Sequence, residues 1–86
     1  LWWPHTEALY ATLLAYSVTK DAKHEAWFEK MHKYSFKHFA DGNKEWYGYL
    51  RRDGSISNYA KGSIWKGPFH LPRALLLCTE LLEKML

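Results

Sequence analysis

Several common kinds of site are excluded by what this 86-residue chain has little of. It has one cysteine, Cys78, so no disulfide can form within it, and the want of a second thiol points to a reducing, cytoplasmic compartment. Charged residues break every apolar run before it reaches the ~18 residues of a membrane span, so no membrane-crossing helix is expected. His24, His32 and His38 lack a spacing of three or four, and His24-Glu25-Ala26-Trp27-Phe28 lacks the second histidine of a zincin helix. No metal site is therefore expected. Neither a phosphate-cradling glycine loop nor a nucleophile elbow occurs. Charge of one sign does not dominate either: 12 Lys and Arg face 9 Asp and Glu. Lys20, Lys23, Lys30, Lys33 and Lys37 follow helical spacing with Glu25 and Glu29 between them, a solvated helix face rather than a nucleic-acid footprint.

Aromatic rings are what the chain has in excess, with five Trp, six Tyr and four Phe. The apolar fraction of 48% excludes a disordered tail. A domain of this size buries only ~60% of its unfolded surface, so these rings exceed the needs of one small core. They line a site or lie against further chain, as Tyr10 and Tyr16, with no partner within this chain, are expected to do. The opening Leu1-Trp2-Trp3-Pro4 has neither an initiating Met nor a basic-then-apolar leader, and it reads as a cut in a longer sequence.

Pro4 suits a first helical turn, and the run to Val18 is free of Gly and Pro, so a helix is expected from about 4 to 18. From Ala8 to Val18 it has no polar stripe and needs cover on all sides. Asp21 can cap a second helix over about 22–40, with Trp27, Phe28, Met31, Tyr34 and Phe39 near one side and Glu29, Lys30, Lys33 and Lys37 on the other. Asp41-Gly42-Asn43 stops it. Glu45 to Leu50 reads as a short strand, with Asp53-Gly54 forming a two-residue hairpin turn into Ser55-Ile56-Ser57. Pro72 suits the first turn of a last helix running to Leu86, whose Ala74–Cys78 stretch is again apolar all round.

Three helices cannot enclose two of their own members, so the first and last need neighbours from elsewhere. A ring of α-hairpins, inner helices alternating with outer ones, supplies them. In such a ring the first and last helices run parallel, and their N-termini share one rim. That rim gathers Trp2, Trp3, His5 and Glu7 with Trp65, His70 and Arg73. Aromatic rings beside a carboxylate, an imidazole and a guanidinium suit a sugar: the rings cover C–H faces while the polar groups bond hydroxyls and move protons. Each residue also has a plainer reading. The helix dipole alone favours Glu7 in a first turn, His70 can cap or fill space, Trp3 and Trp65 can be core, and Arg73 can pair with a nearby carboxylate.

Three blocks on that rim, WWPHTEAL at 2–9, EWYGYLRRDG at 45–54 and WKGPFHLPRAL at 65–75, resemble the C-terminal part of the N-acylglucosamine 2-epimerase family in order and spacing. The Trp-Trp-Pro-His start followed by Thr-Glu-Ala is most similar to the N-acylglucosamine branch. The resemblance covers essentially the whole chain. It implies an all-α fold, with residues 1–86 as the C-terminal part of an (α/α)6 barrel: three helices and a small β-hairpin before the last. His70 matches the family's late catalytic histidine. Glu7 matches the acidic residue that helps hold the sugar and orient the imidazoles, Trp3 and Trp65 match aromatics lining the pocket, and Arg73 matches a supporting basic residue.

The implied reaction interconverts N-acyl-D-glucosamine and N-acyl-D-mannosamine by removing and returning the C2 proton of the ring-opened sugar. Inversion takes two proton-transfer groups, the second a histidine from the missing N-terminal part of the barrel, so the chain alone is expected to be inactive. No cofactor is required for the chemistry. The resemblance allows a nucleotide (ATP) activator and a homodimer paired through barrel faces. The residues leave open a related aldose–ketose isomerase, a cellobiose 2-epimerase, or a non-catalytic helical interaction module.

Overall fold

The computed structural model describes residues 1–40, 46–63 and 66–85. Helix α1 spans Trp2–Thr19, α2 Ala22–His38 and α3 His70–Met85, with strands β1 (Tyr49–Leu50) and β2 (Ile56–Asn58) between the last two helices. The expected arrangement of three helices with a hairpin before the last is therefore present. Pro4 falls within the first turn of α1, where a missing N–H costs nothing. The helix stops at Lys20, whose φ of 58° is left-handed and whose N–H closes on the Tyr16 carbonyl at 2.8 Å. Its ammonium lies 5.4 Å from the Tyr16 ring centroid, an attraction that offsets some of the ~1 kcal/mol cost of that conformation. Asp21 caps α2 as expected, its carboxylate accepting from the Lys23 N–H at 3.0 Å.

Helix α1 packs against both α2 and α3, and its buried stripe of Trp2, Thr6, Leu9 and Leu13 repeats at helical spacing. Around it gather Phe39, Trp46, Leu71 and Cys78, with Phe39 and Trp46 stacked at 5.7 Å. Full burial of a leucine such as Leu9 is worth about 1.5–3 kcal/mol, so this stripe anchors the fold. Trp3 and Glu7 meet His70, Leu9 shares a groove with Cys78, and Leu13 shares another with Leu82 and Met85. Contacts thus climb both helices in step: α1 and α3 are parallel, and their N-termini open on one side. Leu14 and Val18 of α1 and Leu76 of α3 are exposed among the described residues, while the part-exposed Leu75 and Leu82 line the grooves that α3 shares with α1 and α2.

Four local expectations are corrected. Trp27 does not join the packing face of α2; it is 52% exposed, with Lys30 over its ring, while Phe28, Met31 and Tyr34 turn toward the core. Tyr10 and Tyr16, expected to lack partners, have Arg73 and Lys20 against their rings, because a cation one turn or one helix away can reach an aromatic face. The hairpin turn has three residues rather than two. Gly54 donates to the Arg51 carbonyl at 3.0 Å, Arg51 donates to Ser55 at 2.7 Å, and Gly54 takes the positive φ of 90° that this longer turn needs. Asp53 secures the turn by accepting from both the backbone and the hydroxyl of Ser55. The strand is also shorter than expected: Trp46 and Tyr47 stand outside β1, Tyr47 donating instead to the Phe39 carbonyl. The Asp41-Gly42-Asn43 stop and Glu45 lie outside the described residues.

Candidate active site

The parallel helix N-termini bring together side chains more than sixty positions apart. Glu7 stands one turn inside α1, His70 is the first residue of α3, and Arg73 lies one turn further along. His70 Nδ1 sits 2.8 Å from Glu7 Oε1, and Arg73 donates from Nη1 to Glu7 Oε2 at 2.6 Å. All three side chains are about a third exposed, so the cluster is reachable from outside while shielded on its inner side. The hydrogen bond from His70 holds the Glu7 carboxyl below the usual carboxylate range. The bond and charge of Arg73 act the same way, against the opposing effect of partial burial.

An ionised carboxylate only accepts hydrogen bonds. The proton of a neutral His70 therefore sits on Nδ1, and the lone pair on Nε2. Among the described residues nothing hydrogen-bonds Nε2. The ring is bracketed by Trp3, tilted 32° at a centroid distance of 5.7 Å, and by Phe69, edge-on at 4.8 Å. Glu7 thus sets the tautomer and the two aromatics restrict the ring plane, leaving one nitrogen poised to take or give a proton.

A model of the N-acylglucosamine 2-epimerase (GlcNAc 2-epimerase) family matches residues 1–71. The chain belongs to this family. The N-acylglucosamine 2-epimerases of Bos taurus, Homo sapiens and Mus musculus are 45%, 42% and 41% identical to it across its whole length. The chain spans about a fifth of the length of these relatives, 20–21% of each.

Within this family segment, the structure joins four of the residues expected on the rim: Trp3, Glu7, His70 and Arg73. Trp65 lies outside the described residues. Trp2 and His5 leave the rim. Trp2 is buried, its backbone N–H donating to the Gly48 carbonyl at 3.0 Å and its ring edge-on to Tyr49. His5 bonds the Leu1 carbonyl and stacks on Tyr34 from α2. Successive helical residues are about 100° apart, so Trp2 and Trp3 cannot share a face. The plainer reading of Glu7 as a dipole partner weakens, because α1 starts at Trp2 and places Glu7 beyond its first turn.

Two members of the cluster were missed. Tyr10 lies under the Arg73 guanidinium at 5.3 Å, one turn beyond Glu7 on the same face, and the i to i+3 spacing was the available signal. Phe69 was detectable only as the neighbour of His70. Among the described residues no group of His, Cys, Asp and Glu gathers to hold a metal.

Proposed function

We propose that this chain is the C-terminal part of an (α/α)6-barrel sugar epimerase that interconverts N-acyl-D-glucosamine and N-acyl-D-mannosamine. The observation that carries the reading is the Glu7–His70–Arg73 cluster, built across two parallel helices in a chain of this family. His70 Nε2 removes the C2 proton of the open-chain sugar. The electron pair of the broken C–H bond becomes part of an enediolate with its charge on the former aldehyde oxygen, and a second group on the opposite face returns a proton to C2. That group and the remaining wall come from the rest of the protein, which also covers the exposed faces of α1 and α3. Trp3 stacks on the sugar, with Trp65 assigned beside it from sequence alone. Arg73 fixes Glu7 and adds positive charge near the developing oxyanion.

Nucleotide activation is not assigned to these residues. Arg73 is committed to Glu7, Arg51 to the hairpin carbonyl of Ile56 and Lys66 to that of Lys61, and no glycine-rich turn among the described residues offers a phosphate cradle. In the full-length protein, wild type should exchange the C2 hydrogen of N-acetylglucosamine with deuterium from D2O while forming N-acetylmannosamine, and His70→Ala should lose both. Turnover retained by His70→Ala would show the imidazole to be packing.

A further inference from the structure

The described residues include one lysine that is almost wholly buried. Lys66 is 5% exposed, four positions before His70, in the chain that leads into α3. Lysines are rarely buried unless their charge is accommodated. Here the ammonium donates to the Lys61 carbonyl at 2.9 Å and stands 5.8 Å from the centroid of the Trp2 ring. Its stem passes over Gly48, where an added Cβ would lie 3.1 Å from Lys66 Cδ and 3.6 Å from Trp2 Cε3. The Gly48 carbonyl in turn accepts from the backbone N–H of Trp2 at 3.0 Å. The backbone of Lys66 is fixed as well, bonded to Ser63 in both directions. Trp2 opens α1 immediately before Trp3, which faces His70, and one turn before Glu7, which bonds it. Gly48, Trp2 and Lys66 therefore join the start of α1, the approach to β1 and the approach to α3 at one point.

We infer that Lys66 is a positioning residue for the Glu7–His70 pair, its buried ammonium and stem tying the chain before α3 to the first turn of α1. This rests on the reading of His70 as a proton-transfer group. It does not require Lys66 to touch the sugar. A misplacement of about 1 Å at a reacting group can cost on the order of a hundredfold in rate, so a clamp this near His70 acts on turnover rather than on affinity.

The test uses the full-length protein with N-acetylglucosamine as substrate. Lys66→Met keeps most of the stem and removes the charge. It should lower kcat about ten- to a hundredfold while KM stays within about threefold. Gly48→Ala, whose Cβ would lie 3.1 Å from Lys66 Cδ and so press on the stem, should give the same split and serves where Lys66→Met does not fold. Because both act through the pair, Lys66→Met should cost little more in a Glu7→Gln background. A folded Lys66→Met or Gly48→Ala with wild-type kcat, or penalties that simply multiply with that of Glu7→Gln, would overturn the inference. The underlying reading fails separately, and takes the inference with it, if His70→Ala keeps turnover or wild type shows no C2 exchange.

Discussion

Replacing Glu7 with Gln tests the central contact with almost no change of shape. The carboxylate accepts from two donors, His70 Nδ1 and Arg73 Nη1. An amide has one acceptor and one donor end, so it cannot serve both. Arg73 stays charged and donates only, so the amide oxygen turns to it and the NH2 faces His70 Nδ1. The imidazole can accept that bond only by moving its proton to Nε2, the nitrogen proposed as base. Returning to the productive tautomer breaks that bond and sets two donors against each other. A hydrogen bond to a charged group is worth about 1.5–3 kcal/mol, so the loss expected in kcat is roughly ten- to a hundredfold. The partial exposure of the three side chains favours the lower half of that range. The assay is deuterium incorporation at C2, followed by NMR on the full-length protein. Glu7→Gln with unaltered kcat would refute the tautomer argument. So would a Glu7→Ala protein that exchanges as fast as wild type, since it leaves Nδ1 without its acceptor.

Acid titration should separate the same two proteins. Because the folded-state Glu7 carboxyl is depressed below its ordinary value of 4.5, its contribution to stability is present above that pH and is lost as pH falls through the lower folded value. Urea unfolding should therefore find Glu7→Gln less stable than wild type near pH 6, with the difference shrinking below pH 4.5; a constant gap would contradict the sign. Gly54→Ala should destabilise by about 1–3 kcal/mol in thermal or urea unfolding, because its φ is 90° and an added Cβ would lie 2.7 Å from His38 Cε1. In a His38→Ala background only the backbone part of that cost should remain. Burial pushes the Cys78 thiol up to about 11, so it should react slowly with a thiol reagent at pH 8 and rapidly once urea is added. Fast reaction in the native protein would place the thiol at the surface.

The rim was legible because it follows from chain direction: two breaker-free apolar runs, each opened by proline and separated by an amphipathic helix, place Glu7, His70 and Arg73 at one end. Hydrophobic pattern and caps reach that far. They do not tell which of two adjacent tryptophans turns inward, which depends on the chain around Gly48 meeting Trp2. Trp27 shows the opposite failure: its bulk argues for burial, yet its place on the helix cylinder leaves it outside α1's reach, and Lys30 covers part of its ring instead. Lys66 was invisible for a simpler reason. Charge reads as surface until a structure shows a carbonyl and an indole waiting for it.

The separation of Glu7 from His70 along the chain, 63 positions, also sets an order of events. A helix forms from neighbouring residues within microseconds, whereas this pair closes a loop that holds α2 and the hairpin, and that closure carries an entropic cost which local contacts do not repay. Helical content in a refolding protein can therefore be complete while the imidazole still lacks its carboxylate. In the full-length protein, recovery of turnover should lag behind recovery of the circular dichroism signal, and the docking of α3 on α1 is one of the steps that fill the interval.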